Sequence, residues 1–164
     1  MSQFMQIVLA GIAIGAIYSL AALGFTIVFN ATKVTNFANG EFVMMGGLVA
    51  ASLVTNAHWP ALAAVPTAVL SVTALGVALD RFGVQQARRK TILGYAMITI
   101  GFSLLYRGLM QVVVGRDVLF MPNFGVVPDL RLLDVYFSSQ STWILLTLVP
   151  VSYTHLTLPT IYSV

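Results

Sequence analysis

Residues 42–79 contain no charged side chain, and this 38-residue run constrains the fold more than any other feature of the sequence. As a single helix the run would be about 57 Å long, whereas the hydrocarbon core of a bilayer is about 30 Å thick. It is broken near its middle, where Pro60 interrupts a helix and Trp59 suits the headgroup region, so it crosses a membrane twice. Since only 8% of the 164 residues are charged, too few for the surface of a water-soluble domain, the sequence predicts an integral membrane protein.

The apolar runs set the predicted number of membrane spans. Four runs are predicted to be spans, at residues 7–29, 42–55, 61–79 and 92–114. The second is short for a complete crossing, so it either starts earlier, is tilted or is partly re-entrant. Between and after the spans, residues 80–90 are predicted to be a polar loop and residues 115–140 an ordered extramembrane loop. With a further apolar run at residues 143–151, the predicted fold class is all-α, a polytopic transmembrane helix bundle of four to five spans.

Composition excludes several classes of function. The chain has no cysteine, which excludes disulfides, thiolate metal sites and cysteine nucleophiles. Its histidines, His58 and His155, have no other metal-ligating residues near them in sequence, so we expect no metal and no cofactor. The net charge of +3 comes from a few Arg and Lys residues in loops, which is usual for membrane proteins, and we expect no nucleic-acid partner.

Glycines recur at helical spacing in two of the predicted spans. Gly11 and Gly15 form a GxxxG motif in the first, and Gly94, Gly101 and Gly108 recur every seven residues in the fourth. Small residues at such spacing let a neighbouring backbone approach closely, so these five are candidate helix-packing positions. The alternative is that the stripe in the fourth span lines a narrow pathway.

Residues 35–42, with the sequence TNFANGEF, are the most distinctive segment of the chain. They are typical of a helix start, in which Asn36 or Asn39 caps free backbone N–H groups and Glu41 faces the positive end of the helix dipole. Glu41 is, however, the only acid before Asp80, and it lies at a membrane boundary. The alternative is a broken helix whose polar backbone faces a cavity.

Arg107 is the one charge inside an apolar run. Its long side chain is expected to reach the interface by snorkelling or to pair with an acid in a loop. The alternative is a role in a transport pathway.

Residues 15–47, which contain TNFANGEF and a Gly-rich continuation, resemble the amino-terminal signature of the branched-chain amino acid permeases of ABC importers. Asn39 stands where that family usually has His, while Gly40 and Glu41 are in place. Further on, residues 80–90 resemble the family's basic cytoplasmic loop, and Thr99 to Ser103 resemble its Thr-x-Gly-x-Ser helix. The resemblance covers residues 7–122. It marks Asn36, Asn39, Gly40 and Glu41 as candidate site positions without giving them a chemical role.

The resemblance implies a non-enzymatic subunit of an importer in the bacterial inner membrane. Such a subunit shares a translocation pathway with a second permease subunit, is driven by two cytoplasmic ATPase subunits and receives substrate from a periplasmic substrate-binding protein. The chain has no GxxxxGK[ST] motif of its own. Branched-chain amino acids, urea and short amides remain open as substrates. The alternative function is an ion-coupled secondary transporter or channel, which is less favoured because the first three apolar runs contain no ionisable residue suited to proton coupling.

The resemblance also sets the expected domain organisation. We expect residues 1–151 to be the amino-terminal half of a membrane permease domain, without the cytoplasmic helix that docks the ATPase. Residues 152–164 are rich in Ser, Thr and Tyr, and we expect them to be a non-native or disordered tail.

The basic residues predict the orientation. With four crossings before the long loop, Lys33, Arg81, Arg88, Arg89 and Lys90 share one side, and Arg116 and Arg131 lie on the other. Because cytoplasmic loops are enriched in Arg and Lys, the first side is predicted to be cytoplasmic.

Overall fold

The structure, a computed structural model, describes residues 2–87, 91–116, 119–121, 130–132, 135–137 and 139–157. It contains five α-helices: α1 Ser2–Thr32, α2 Asn39–Thr55, α3 Ala61–Ala78, α4 Ile92–Val113 and α5 Ser139–Ser152. A π-helical segment, Leu79–Val84, continues α3, and a second, Tyr153–Thr157, continues α5. Two short strands, β1 Leu130–Leu132 and β2 Val135–Phe137, pair antiparallel between α4 and α5.

Three stretches of the described chain are long and apolar enough to cross a membrane: Gln3–Thr32, Ala61–Val84 and Ile92–Val113. Helix α2 is a shorter apolar helix of 17 residues, about 25 Å long. The predicted all-α, multi-pass membrane fold is therefore confirmed. The chain divides into two compact units, one of residues Ile27–Pro122 and the other of Met1–Thr26 with Asn123–Val164.

Helices α2 and α3 pack against each other in an antiparallel pair within the unit Ile27–Pro122. A Cβ added at Gly46 would lie 3.8 Å from Val72, and one at Gly76 would lie 4.0 Å from Phe42. As position 42 advances to 46 in α2, its neighbour moves back from 76 to 72 in α3, so the two helices run in opposite directions. Small side chains make this close packing feasible, because four buried alanines lie on the two helices: Ala50, Ala51, Ala64 and Ala68.

Helix α1 ends through a left-handed backbone conformation. Lys33 has a φ of +55°, and its N–H donates to the Phe29 carbonyl oxygen at 2.7 Å. A residue with positive φ directly after a helix turns the chain away from the helix axis. Residues 33–38 then run without a helix to the start of α2 at Asn39, three residues before the predicted apolar run 42–55.

The third span is longer than the sequence predicted, because the helix continues past residue 79 to Val84. Asp80 does not end it: the backbone N–H of Gln85 donates to the Asp80 carbonyl at 2.8 Å, which is the i to i+5 bond of a π-helix. The Gln85 side-chain amide also donates to the Asp80 carboxylate at 2.6 Å. The prediction that the whole of residues 80–90 is a loop is therefore wrong for residues 80–84, and residues 88–90 lie outside the described residues.

Helix α5 and its π-helical continuation extend from Ser139 to Thr157, well beyond the apolar run 143–151. The hydroxyl groups of Thr147 and Thr154 donate back to the carbonyls of Trp143 and Pro150, at 3.0 and 2.9 Å. Ser and Thr side chains satisfied in this way are tolerated in a helix. Residues 152–157 are thus helical and residues 158–164 lie outside the described residues, and the expectation that residues 152–164 are a non-native or disordered tail stays a prediction.

Candidate functional site

The start of α2 is shaped by backbone contacts of the TNFANGEF segment. The Asn36 Oδ1 atom accepts a hydrogen bond from the Ala38 N–H at 2.9 Å. Ala38 then stands at the N-cap, and its carbonyl accepts from the N–H groups of Glu41 and Phe42 at 3.1 and 3.3 Å. The prediction that Asn36 or Asn39 caps the helix is wrong, because the N-cap residue is Ala38 and α2 has no side-chain cap. The Asn36 side chain instead bonds the turn that precedes the helix.

Helix α4 presents a polar stripe to this segment. Thr99, Ser103 and Arg107 follow one another at intervals of four residues, and Tyr106 lies beside them. Residues three or four apart share one face of a helix. Thr99 and Tyr106 are almost completely buried, at 1% and 2% exposure. The four-residue spacing of the stripe is present in the sequence, where the Thr-x-Gly-x-Ser motif covers Thr99 and Ser103 but not Arg107.

Two hydrogen bonds and one ion pair join the two segments. The Phe37 N–H donates to the Thr99 hydroxyl oxygen at 3.2 Å, and the Ser103 hydroxyl donates to Glu41 Oε1 at 3.0 Å. The Arg107 Nη2 atom forms an ion pair with the same Glu41 oxygen. Both hydrogen bonds link residues 62 positions apart, so α2 and α4 run in the same direction where they meet.

Glu41 and Arg107 differ in their access to solvent. The Glu41 side chain is 8% exposed, whereas the Arg107 side chain is 57% exposed. A buried carboxylate is costly unless it is paired and hydrogen-bonded, and here Arg107 and Ser103 supply both kinds of partner. Glu41 also lies in the first turn of α2, where the helix dipole favours a negative charge.

A cluster of buried apolar residues lies beside the polar contacts between α2 and α4. Its buried members come from the α2 start, the end of the α3 helical run and the α4 stripe: Ala38, Met45, Leu79, Tyr106 and Met110. The Tyr106 hydroxyl donates to the Leu75 carbonyl of α3 at 2.6 Å, and the Tyr106 ring packs against the rings of Phe42 and Phe102. Tyr106 therefore connects α4 to both α2 and α3. No motif or spacing in the sequence marked it for this role.

The four signature positions have different surroundings. Asn36 and Glu41 make the contacts described above, whereas Asn39 is half-buried and Gly40 is exposed. A Cβ added at Gly40 would meet no atom within 4 Å. The structure thus brings Glu41 together with Ser103 and Arg107. The pairing of Arg107 with a loop acid is wrong, because its partner lies in the first turn of α2.

The candidate helix-packing glycines have no close neighbour among the described residues. A Cβ added at Gly11, Gly15, Gly101 or Gly108 would meet no atom within 4 Å. Their role in packing, with that of Gly94, stays a prediction. Gly101 instead lines an open groove of about 490 Å³ along the π-helical segment and α4, together with Phe82, Gln86 and Met97.

Gly83 is the glycine that the helix packing of this unit requires. A Cβ added there would lie 2.8 Å from Phe102 Cε2 and 3.0 Å from Ile98 Cγ2, which is closer than carbon atoms normally approach. Its backbone is therefore pressed against α4. Gly83 lies in the predicted loop 80–90, and no pattern in the sequence indicated a role for it.

Among the described residues, no group of three or more His, Asp or Glu side chains could hold a metal ion. The polar cluster consists of one ion pair with hydroxyl groups beside it, formed between the first turn of α2 and the candidate span Ile92–Val113. Such an arrangement can bind and orient charged or polar groups. Ionisable residues inside membrane helices commonly mark substrate or ion pathways.

Three stretches that are long and apolar enough to cross a membrane define the class as a polytopic membrane protein, and a charge pair joins two of its helices, α2 and α4. The family described as "Branched-chain amino acid transport system / permease component" matches residues 7–157. The chain belongs to this family of transport permeases, as the TNFANGEF resemblance implied. No solved structure matches it.

Curated relatives carry the same description. The "High-affinity branched-chain amino acid transport system permease protein LivH" of Salmonella typhimurium is 27% identical over 70% of this chain and 40% of its own length. The LivH protein of Escherichia coli K12 gives the same identity and the same coverage. The permease protein BraD of Pseudomonas aeruginosa is 26% identical over 66% of this chain and 38% of its own length. The chain spans about 40% of the length of the LivH proteins that it matches.

Proposed function

We propose that the chain is part of the membrane permease of an ABC importer and contributes to the pathway by which branched-chain or related small amino acids cross the bacterial inner membrane. The observation that carries this proposal is the family match over residues 7–157. The printed names of the LivH and BraD relatives support the substrate class.

The geometry of the polar cluster agrees with this role. Two segments that resemble the family signature, TNFANGEF and Thr99 to Ser103, are far apart in sequence and meet at Glu41. A cluster that combines a carboxylate, a guanidinium and hydroxyl groups offers a polar solute partners for both of its charges. The surrounding faces of α3 and α4 are apolar and exposed in this chain, as for helices that face lipid or another subunit.

The energy source lies outside this chain in the proposed assembly. A second permease subunit completes the pathway, two cytoplasmic ATPase subunits hydrolyse ATP, and a periplasmic substrate-binding protein delivers the solute. The chain itself moves the solute and performs no chemical step.

Reconstitution tests the proposal. The chain, as part of a full-length permease that supplies the ATPase-docking helix, is placed in proteoliposomes with the second permease subunit, both ATPases and the binding protein, and uptake of radiolabelled leucine is measured with and without ATP. Leucine uptake that requires ATP, and ATP hydrolysis that rises when leucine-loaded binding protein is added, are expected. The matched control is the same assembly with the phosphate-binding lysine of the ATPases substituted, which removes uptake.

Two results would contradict the proposal. One is leucine uptake that follows an ion gradient and persists with the lysine-substituted ATPases, because that result identifies an ion-coupled transporter. The other is an assembled complex in which neither leucine nor any other small amino acid or amide is taken up or stimulates ATP hydrolysis.

A further inference from the structure

We propose that Arg107 and Glu41 together form a binding site for the charged head of an α-amino acid, in which Arg107 receives the carboxylate and Glu41 receives the ammonium group. This inference rests on the proposed function and deepens it, since it assigns the recognition of the solute to two residues. Both residues belong to the unit Ile27–Pro122 and are in direct contact.

Arg107 has donors to spare. A guanidinium carries five N–H donors in one plane, and among the described residues the contacts of Arg107 are those of Nη2 with Glu41. Its side chain is 57% exposed. A planar, exposed guanidinium binds a carboxylate through two parallel hydrogen bonds, which a lysine ammonium cannot reproduce.

One carboxylate oxygen of Glu41, Oε2, is an unused hydrogen-bond acceptor among the described residues. Ser103 and Arg107 both bind Oε1, while Oε2 has no hydrogen-bond partner among the described residues. Among the described residues, a few side-chain polar atoms are fully buried and have no hydrogen-bond partner, and Oε2 is not one of them. Oε2 therefore keeps some contact with solvent. An ionised carboxylate accepts at both oxygens, and an ammonium group is a suitable donor for the unused one.

The charges of the pair match those of a zwitterion. Arg107 and Glu41 present one positive and one negative group side by side, and an α-amino acid presents the opposite signs at adjacent carbons. A free carboxylic acid or a free amine would meet attraction from one member of the pair and repulsion from the other. A neutral amide or urea would gain no ionic contact with either.

The position within α4 strengthens this recognition. Arg107 lies 15 residues after the start of α4 and six before its end, so it is about 9 Å from the nearer end of this candidate span. Ser103 holds the Glu41 carboxylate in place, which leaves the pair preorganised for a solute.

Direct binding of leucine to the purified chain tests the site without any partner or ATP. The full chain is placed in phospholipid nanodiscs, and the carbonyl signal of [1-¹³C]leucine is followed by saturation-transfer NMR. Binding is expected for the wild-type chain, and Arg107→Gln should weaken it by about tenfold or more because charge-assisted hydrogen bonds are lost. Arg116→Gln, an exposed arginine beyond the end of α4, is the matched control and should leave the binding unchanged.

A ligand series on the wild-type chain keeps the test independent of how the variants fold. Leucine is compared with 4-methylpentanoate, which lacks the ammonium group, with isoamylamine, which lacks the carboxylate, and with 4-methylpentanamide, which carries no charge. Leucine is expected to bind more tightly than all three. Equal binding of any of the three would overturn the site, as would the absence of any leucine signal.

The outcomes separate this inference from the proposed function. ATP-driven leucine uptake that Arg107→Gln leaves unchanged, in a variant with wild-type helical content by circular dichroism, overturns the site and leaves the transport function intact. Leucine binding that depends on Arg107, in an assembly that shows no ATP-driven uptake, supports the site and contradicts the transport function.

Discussion

Arg107 and Glu41 are 66 positions apart in the sequence, and Nη2 of the arginine lies 2.5 Å from Oε1 of the glutamate. Arg107 is the one charge inside its predicted apolar run and Glu41 is the only acid before Asp80, and the two neutralise each other where α2 meets α4. This pairing aligns the TNFANGEF segment with the Thr99 to Ser103 segment. It explains why an acid stands at the start of α2, which a helix start alone does not require.

Gly83 provides the sharpest test of the packing between the π-helical segment and α4. Substituting Gly83→Ala adds a methyl group 2.8 Å from the Phe102 ring, which is itself packed against Tyr106. We expect Gly83→Ala to be less stable than Gly101→Ala by about 1–3 kcal/mol, because overpacking shifts neighbouring side chains. The measurement is unfolding of the purified chain by denaturant in detergent micelles.

Gly101→Ala is the matched control for this comparison. Both substitutions gain the same helix propensity, about 1 kcal/mol, but the methyl group at position 101 meets no described atom within 4 Å. Equal stabilities of the two variants would show that Gly83 is not pressed against α4.

Much of the fold could be predicted because apolar runs determine where helices cross a membrane. The limits of the helices were harder to predict. Asp80 suggested a loop, yet its carbonyl accepts the bond that lets the helix continue to Val84. Similarly, the polar residues after 151 suggested the end of the helix, but the Thr154 hydroxyl donates to the Pro150 carbonyl and the helix continues to Thr157.

The candidate site was predictable as a set of unusual residues and not as a set of contacts. Glu41 and Arg107 were both conspicuous, because charges are rare in apolar runs. Their pairing depends on α2 and α4 lying side by side in the same direction, and no local pattern encodes that arrangement. Tyr106 and Gly83 gave no signal, since their roles arise only from the partners that the fold brings to them.

Tyr106 is predicted to stabilise the unit through its hydroxyl group as well as its ring. Tyr106→Phe removes the hydrogen bond to the Leu75 carbonyl and leaves the ring contacts in place. We expect a loss of about 0.5–1 kcal/mol in the free energy of unfolding, as for other hydrogen bonds between membrane helices. Tyr18→Phe is the control, because Tyr18 is 72% exposed and should tolerate the change. Equal stabilities of the two variants would contradict the role of the hydroxyl.

The side of the membrane on which the basic residues lie follows from their distribution. Phe42, near the start of α2, lies beside Gly76, near the end of α3, so the segment before α2 and the end of the α3 helical run lie at the same end of this antiparallel pair. Lys33, Arg81 and the Arg88 to Lys90 run are therefore predicted to face the cytoplasm.

Cysteine labelling measures this orientation, because the chain has no native cysteine. A membrane-impermeant maleimide should leave Arg89→Cys unlabelled in intact spheroplasts and label it in opened membranes. Arg116→Cys, beyond the other end of α4, should already be labelled in intact spheroplasts. Labelling of Arg89→Cys from outside would reverse the assignment.

The central claim is that the charge pair joins the two signature segments into one site, and a double-mutant cycle measures it most directly. Glu41→Gln, Arg107→Gln and the double variant are compared with the wild type by reversible unfolding in detergent. Because Arg107 is 57% exposed, screening limits the pair, and we expect a coupling of about 1 kcal/mol, with the double variant less destabilised than the sum of the single ones. Effects that add to within about 0.3 kcal/mol would show that the two side chains act independently, and would contradict the account.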